Sequence, residues 1–145
     1  MNSIFGRIGL QSSPMVLISL IESICVPILT NASEYFHWKN KMTKSFDKAI
    51  CQAYFKIFKT FDHNVALHCQ YYMCKLPIEL KIVLRKLNIL HTIQNSGSSL
   101  LQALLAVGIE NNEFRNLCNK YQLDMNNPNT WHMDIWKHFE NIIQN

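Results

Sequence analysis

The spacing of apolar side chains between residues 43 and 61 constrains the fold more than any other feature of this sequence. Large apolar residues recur there every three or four positions, and lysines recur with the same period but out of phase. An α-helix turns once every 3.6 residues, so this pattern places the two sets on opposite faces of one helix. We expect the apolar set, including its aromatic residues, to lie in the core. It consists of Phe46, Ile50, Ala53, Tyr54, Ile57, Phe58 and Phe61. The basic set is Lys44, Lys48, Lys56 and Lys59.

Helical periods of the same kind continue along the chain and predict an all-α fold. Ser13 and Pro14 are typical of a helix start, and the apolar residues that follow lie almost all round the helix, which predicts a central, buried position. Pro27 should kink or end this helix, because proline lacks the amide hydrogen that the helix interior needs. Only 4 glycines and 4 prolines interrupt the chain, which disfavours a many-turned sheet protein.

Polar segments separate the later helices. Asp62 or Asn64 is suited to capping a short helix over 65–74, and Pro77 begins a longer one that ends at a Gly/Ser loop over 94–99. Further helices are predicted at 99–107, at 110–121 and after Thr130. A chain of 145 residues with 48% hydrophobic residues is large enough to bury one core. We therefore predict one domain over residues 1–145, a single irregular bundle of six or seven helices.

Charge is distributed unevenly within a formal net charge of +4. Residues 39–91 carry ten Lys or Arg against three acids, whereas the rest of the chain carries four against seven. The helix after Pro77 has a second basic face with Lys81, Arg85 and Lys86. Such asymmetry indicates an anionic partner, although solvated lysines on an amphipathic helix are the commoner explanation.

The sequence contains no recognisable set of catalytic residues. It lacks a G-x-S-x-G elbow and a Gly-rich phosphate loop, and its aspartates are isolated from one another: Asp47, Asp62, Asp124 and Asp134. Two-metal phosphoryl transfer requires paired carboxylates. We therefore expect no enzymatic activity and no small-molecule substrate.

A zinc site would have to draw on His63, His68, Cys69 and Cys74, the closest group of thiol and imidazole ligands in the sequence. His68 and Cys69 are adjacent and so project in different directions from a helix, and no C-x-x-C or H-x-x-x-H pair supports them. We expect ordinary thiols and histidines here, with no metal and no cofactor.

The five cysteines are odd in number and lie mostly within apolar helical patterns, as reduced thiols do in a reducing compartment. The longest apolar run, residues 14–29, is interrupted by Glu22 and Pro27 and is shorter than the roughly 20 residues that cross a bilayer. No basic region precedes this run, so a signal peptide is not expected. These features favour an intracellular protein, cytoplasmic or nuclear, with no membrane partner.

Four segments carry a family resemblance. "NSIFGRIG" at 2–9, "PILTNASE" at 27–34, "AYFKIFKT" at 53–60 and "LPIELKIVLRKLNIL" at 76–90 occur in this order along the chain. In order and spacing they resemble the region that follows the polymerase core in reverse transcriptases of non-LTR retrotransposons, of the jockey and chicken-repeat kind. The resemblance covers roughly residues 2–105 and leaves 106–145 as a C-terminal helical extension.

The resemblance implies a helical thumb, the part of the polymerase that holds the backbone of the template and primer. The helix with Lys44, Lys48, Lys56 and Lys59 would hold an RNA/DNA duplex, with Lys81, Arg85 and Lys86 as second candidates. Thr30 and Asn31 depart from the pattern, since the family usually has an aromatic-glycine pair there. The palm with its catalytic aspartates is absent, and Met1 stands where the family has a longer polyprotein. The chain is thus similar to a truncated, non-catalytic fragment of an RNA-directed DNA polymerase.

Two alternatives remain open on the sequence. The chain would be a helical protein-interaction module if Trp131, Trp136 and the "YFHW" segment at 35–38 formed an exposed aromatic surface, although these aromatics suit a core equally well. It would be a relic without selected activity if neither surface has a partner. Tyr71 and Tyr72 are adjacent, and one of the two is expected to be exposed and able to stack on a base.

Overall fold

The computed structural model describes the backbone of residues 6, 12–31, 40–106 and 109–144, and their side chains except at 40, 41, 102, 104–106 and 109–111. Within these ranges the chain forms seven helices and no strand, which confirms the predicted all-α class and number of helices. The first helix, α1, consists of Pro14–Leu20, a π-helical segment Ile21–Cys25 and Val26–Thr30. The others are α2 (Asn40–Phe58), α3 (His63–Tyr72), α4 (Ile78–Gln94), α5 (Ser99–Ala106), α6 (Ile109–Tyr121) and α7 (Trp131–Gln144).

The chain divides into two compact units, Met1–Glu79 and Leu80–Asn145, which are described separately. The prediction of one domain over residues 1–145 therefore stays a prediction. None of the helices in the described ranges has both the length and the apolarity of a membrane span.

In the first unit, α1 continues through Pro27 to Thr30 and does not end at the proline. The π-helical segment lies directly before Pro27 and rearranges the backbone hydrogen bonds there, which accommodates a residue without an amide hydrogen. The Thr30 hydroxyl donates to the carbonyl of Val26 at 2.9 Å and is buried. This local hydrogen bond provides the buried hydroxyl group with an acceptor at the end of the helix.

Only one face of α1 is buried. Leu17, Ile18 and Ile21 lie in the core, and α1 packs against α2. The opposite face exposes four large apolar side chains: Met15, Val16, Ile24 and Ile28. The expectation of a central helix is therefore wrong, because apolar composition around a helix does not determine how many neighbours cover it.

The end of α2 determines the position of Phe61. Lys59 adopts a left-handed backbone conformation with φ of 52°, and the Thr60 amide donates to the carbonyl of Phe55 at 3.1 Å, as in a Schellman motif. The chain thus leaves the helical path before Phe61, whose side chain is 94% exposed. The predicted core position of Phe61 is wrong, because the apolar period applies only as far as the helix continues.

Capping chemistry fixes the start of α3. Asp62 is the N-cap, and its carboxylate accepts from the Asn64 amide at 2.8 Å. Of the two predicted capping residues, the structure selects Asp62.

Within the described part of the chain, three helices end at a non-glycine residue with positive φ: Lys59 after α2, Cys74 after α3 and Gln122 after α6. After α6 the Leu123 amide donates to the Cys118 carbonyl at 2.9 Å and the Gln122 amide to the Asn119 carbonyl at 3.3 Å, which completes a Schellman motif. A side chain at this position is disfavoured sterically, and glycine is the usual occupant.

The core of the second unit includes Trp131, which is 1% exposed. Its indole nitrogen donates to the carbonyl of Asp124 at 2.6 Å, and its ring contacts His91 and Phe114 edge to face. Trp131 is therefore a core side chain, and its proposed role as an interface anchor is wrong. Trp136 is half-buried and stacks edge-on against Phe139, whereas residues 35–38 lie outside the described residues.

Candidate functional sites

The first candidate site is a lysine face, defined as Lys44, Lys48, Lys56 and Lys59. The first three lie on α2, are exposed, and occupy an arc of about 120° when positions advance by 100° per residue. At a rise of about 1.5 Å per residue they are spread over about 18 Å of helix. The opposite side of α2 is held in the core by Ile50 and Tyr54. The structure thus places these three lysines on one solvent-facing surface.

Lys59 and Phe61 extend this surface into the turn between α2 and α3. Both side chains are exposed, and they lie two positions apart in a backbone fixed by the Schellman motif and the Asp62 cap. Tyr72, near the end of α3, is 77% exposed, and Tyr71 is half-buried against it. The expectation that one of these two tyrosines is exposed is confirmed.

The second predicted basic group, on α4, differs in its environment. Lys86 pairs with Glu113 of α6, and its side chain is only 12% exposed. Arg85 is exposed and Lys81 is half-buried. A phosphate would have to displace Glu113 before Lys86 could bind it. Since this group and the lysine face belong to different compact units, the predicted ridge across both helices stays a prediction.

The second candidate site is a cluster of Asp47, Cys51 and His63 within the first unit. Asp47 and Cys51 are one turn apart on α2, and His63 begins α3, which packs against α2. The Cys51 thiol donates to Asp47 Oδ2 at 3.8 Å, and one ligand atom from each of the three residues lies within 4.8 Å of the others. Cys51 is buried, Asp47 is half-buried and His63 is exposed, so the cluster runs from the core to the surface.

Burial and neighbouring negative charge raise the pKa values of both Asp47 and Cys51. Burial raises the pKa of the Asp47 carboxyl, and Glu79 raises it further, against the opposing effects of His63 and the Cys51 hydrogen bond. Burial, followed by the charge of Asp47, raises the pKa of Cys51 to about 12. A thiol is a nucleophile only as the thiolate. Without a cation, the geometry therefore does not support a nucleophilic cysteine.

Several buried polar atoms around Cys51 have no hydrogen-bond partner among the residues that the structure describes. They are Asp47 Oδ1, Gln70 Oε1 and the Tyr54 hydroxyl oxygen. The Gln70 amide nitrogen donates to the Cys51 sulfur at 4.0 Å. Buried oxygens without a donor are rare in folded proteins and call for a water or an ion.

The cluster of Asp47, Cys51 and His63 was not predicted from the sequence. His63 was grouped there with His68, Cys69 and Cys74, of which Cys74 is exposed, and the cysteines were expected to be ordinary thiols. The available signal was the four-residue interval between Asp47 and Cys51, which places both on one side of a helix. The contribution of His63 depends on how α3 packs against α2.

Comparisons of the chain with protein-family models, with curated proteins and with solved structures find no match. The resemblance to non-LTR reverse transcriptases therefore rests on the four sequence motifs and stays a prediction.

Proposed function

We propose that the chain is a non-catalytic, thumb-like fragment of a retroelement RNA-directed DNA polymerase that binds a nucleic-acid backbone through the lysine face. One observation carries the binding proposal: Lys44, Lys48 and Lys56 share the exposed face of a helix whose other side is buried. Burial of the opposite face keeps these charges directed toward solvent. The four sequence motifs support the polymerase ancestry.

The dimensions of the lysine face limit how many phosphates it contacts. Successive phosphates of one strand are about 3.4 Å apart along a duplex axis, so a helix segment of about 18 Å runs past roughly five of them. Three lysines on α2 and Lys59 in the turn then provide three to four contacts. Binding through these contacts is independent of base sequence, because phosphates carry no sequence information.

Phe61 adds a second kind of contact. Its ring is exposed beside Lys59 in the turn, and an aromatic ring next to a basic track stacks on an unpaired base. The proposal therefore assigns the backbone to the lysines and an unstacked base to Phe61. We place this activity inside the cell, since all five cysteines are free thiols.

Salt dependence provides the test. With three to four phosphate contacts, the logarithm of the association constant should fall with the logarithm of salt concentration with a slope of about −3. Between 50 and 200 mM salt this slope corresponds to about 60-fold weaker binding. Fluorescence anisotropy of a labelled RNA–DNA duplex over this range measures it, with EDTA present to exclude metal effects.

Charge reversal identifies the surface that binds. Lys48→Glu and Lys56→Glu should each weaken binding and reduce the steepness of the slope by about 1. Lys137→Glu, which makes the same change in net charge on α7, is the matched control, since Lys137 is exposed and pairs only weakly with Asp134 at 3.5 Å. Equal losses in all three variants, or binding that does not respond to salt, would refute the proposal.

A further inference from the structure

We propose that Asp47, Cys51 and His63 bind a divalent transition-metal ion, and that zinc is the ion this set suits best. The site is distinct from the lysine face and does not depend on nucleic-acid binding. A thiolate, an imidazole and a carboxylate are the three ligand types that zinc binds in proteins. Magnesium and calcium select oxygen ligands instead.

The geometry approaches that of a tetrahedral centre. With Zn–S of about 2.3 Å and Zn–O of about 2.0 Å, two ligand atoms at the tetrahedral angle are about 3.5 Å apart. The Cys51 sulfur and Asp47 Oδ2 are already 3.8 Å apart. The third ligand atom, from His63, lies within 4.8 Å of both, so it needs to move inward by a distance on the order of 1 Å.

The positions of the three residues suit both rigidity and access. Asp47 and Cys51 are held by α2, with the Cys51 side chain 1% exposed. His63 is exposed, so its ring can rotate inward without disturbing the core. An ion entering from solvent would meet His63 first and reach the sulfur last. Three protein ligands leave the fourth tetrahedral position to water.

The unpartnered polar atoms are an independent observation that points to a cation. Asp47 Oδ1 is buried and accepts no hydrogen bond from any residue in the described ranges, although a carboxylate oxygen in the interior normally accepts one. A cation bound at Asp47 compensates the charge of this carboxylate. The Gln70 amide, which donates to the Cys51 sulfur, would then stabilise a metal-bound thiolate as an outer-shell hydrogen bond.

Binding at this site would link α2 to α3. Cys51 and His63 lie on either side of the turn over 59–62, so an ion between them closes a loop that contains this turn. Only the folded chain brings the three ligands together, and the ion therefore stabilises the folded state. Zinc should raise the midpoint of thermal unfolding of the full chain.

Cobalt(II) is the probe of choice, because it takes zinc positions and its spectrum reports the ligands. The full chain, treated with EDTA and kept reduced, should bind one cobalt ion and develop a near-ultraviolet thiolate charge-transfer band with visible bands of a tetrahedral centre. His63→Ala and Asp47→Asn should weaken binding at least tenfold. Cys51→Ser should abolish the thiolate band.

Controls separate ligand loss from loss of fold. Replacement of the buried Cys51 alters the core, whereas His63 is exposed and its replacement leaves the core intact, so His63→Ala is the decisive variant. Cys74→Ser and His68→Ala remove members of the other thiol and imidazole group and should leave the band unchanged. A band that survives in His63→Ala, that disappears in Cys74→Ser, or that never forms in the parent protein would overturn the proposal. The nucleic-acid titration contains EDTA, so its failure would be a separate result.

Discussion

Alkaline pH should destabilise the protein in part through Cys51, a thiol that folding keeps neutral. Cys51 is buried beside Asp47, and burial together with the Asp47 charge raises its pKa from 9.0 to about 12. A group whose pKa is raised by folding contributes its full stabilisation below the unfolded pKa and loses it as pH rises through the folded pKa. The contribution of Cys51 is therefore complete at pH 8 and is lost between pH 9 and about 12.

The size of this effect follows from the difference between the two pKa values. Three pKa units at about 1.36 kcal/mol each give a limit of about 4 kcal/mol at high pH. By pH 10 the loss is about 1.4 kcal/mol, because only the unfolded thiol has ionised to a large extent. Burial also raises the pKa of Tyr54, but its ordinary pKa of 10.0 places its contribution at higher pH. Burial also raises the pKa of Cys69 and Cys118, so the contribution of Cys51 is obtained as the difference between the parent protein and Cys51→Ser.

Chemical denaturation at pH 8, 9 and 10, in EDTA and reductant, measures the free energy of unfolding. The parent protein should lose about 1.4 kcal/mol more than Cys51→Ser between pH 8 and 10, whatever the stability of the variant at pH 8. Cys74→Ser removes an exposed thiol and should follow the parent curve. Parallel curves for the parent and Cys51→Ser would show that Cys51 ionises normally in the folded state and would refute the argument.

Two further predictions concern the second unit. Lys86→Ala should lower the free energy of unfolding by about 2 to 3 kcal/mol, since it leaves Glu113 without its ammonium partner, whereas Lys86→Met with Glu113→Leu should stay within about 1 kcal/mol of the parent. A double-mutant cycle by urea denaturation measures the coupling free energy between Lys86 and Glu113. A coupling free energy near zero would contradict the prediction that this ion pair stabilises the fold. Gln122→Gly should raise the free energy of unfolding by about 1 kcal/mol, because a φ of 54° suits glycine. Asn119→Gly, within α6, is the control and should lower the free energy of unfolding, because glycine is unfavourable inside a helix.

Local features of this protein were predictable from the sequence. The helix periods gave the all-α class, the starts of α5 and α7 to within a residue, and Asp62 as one of two capping residues. Periodicity also identified which side of α2 carries Lys44, Lys48 and Lys56. These features depend on residues within one or two turns of one another, and the backbone geometry that relates them is the same in every helix.

Departures from these predictions occur where a regular period is interrupted. Phe61 was assigned to the core because the apolar period was extended past Phe58, where the left-handed conformation of Lys59 redirects the chain. Of the two outcomes expected at Pro27, a kink or an end of α1, the structure contradicts the end, because the π-helical segment before the proline allows the helix to continue. The sequence signal for both conformations is weak, because lysine at a left-handed position and a π-helical turn are each uncommon.

By itself, the sequence determined the all-α class and the face of α2 that bears Lys44, Lys48 and Lys56. Only the tertiary structure decided that Trp131 is buried, that Lys86 pairs with Glu113, and that His63 meets Asp47 and Cys51. The physical reason is the distance along the chain over which each interaction acts. Helical periods arise within a few residues, whereas these contacts form only when separate helices pack against each other.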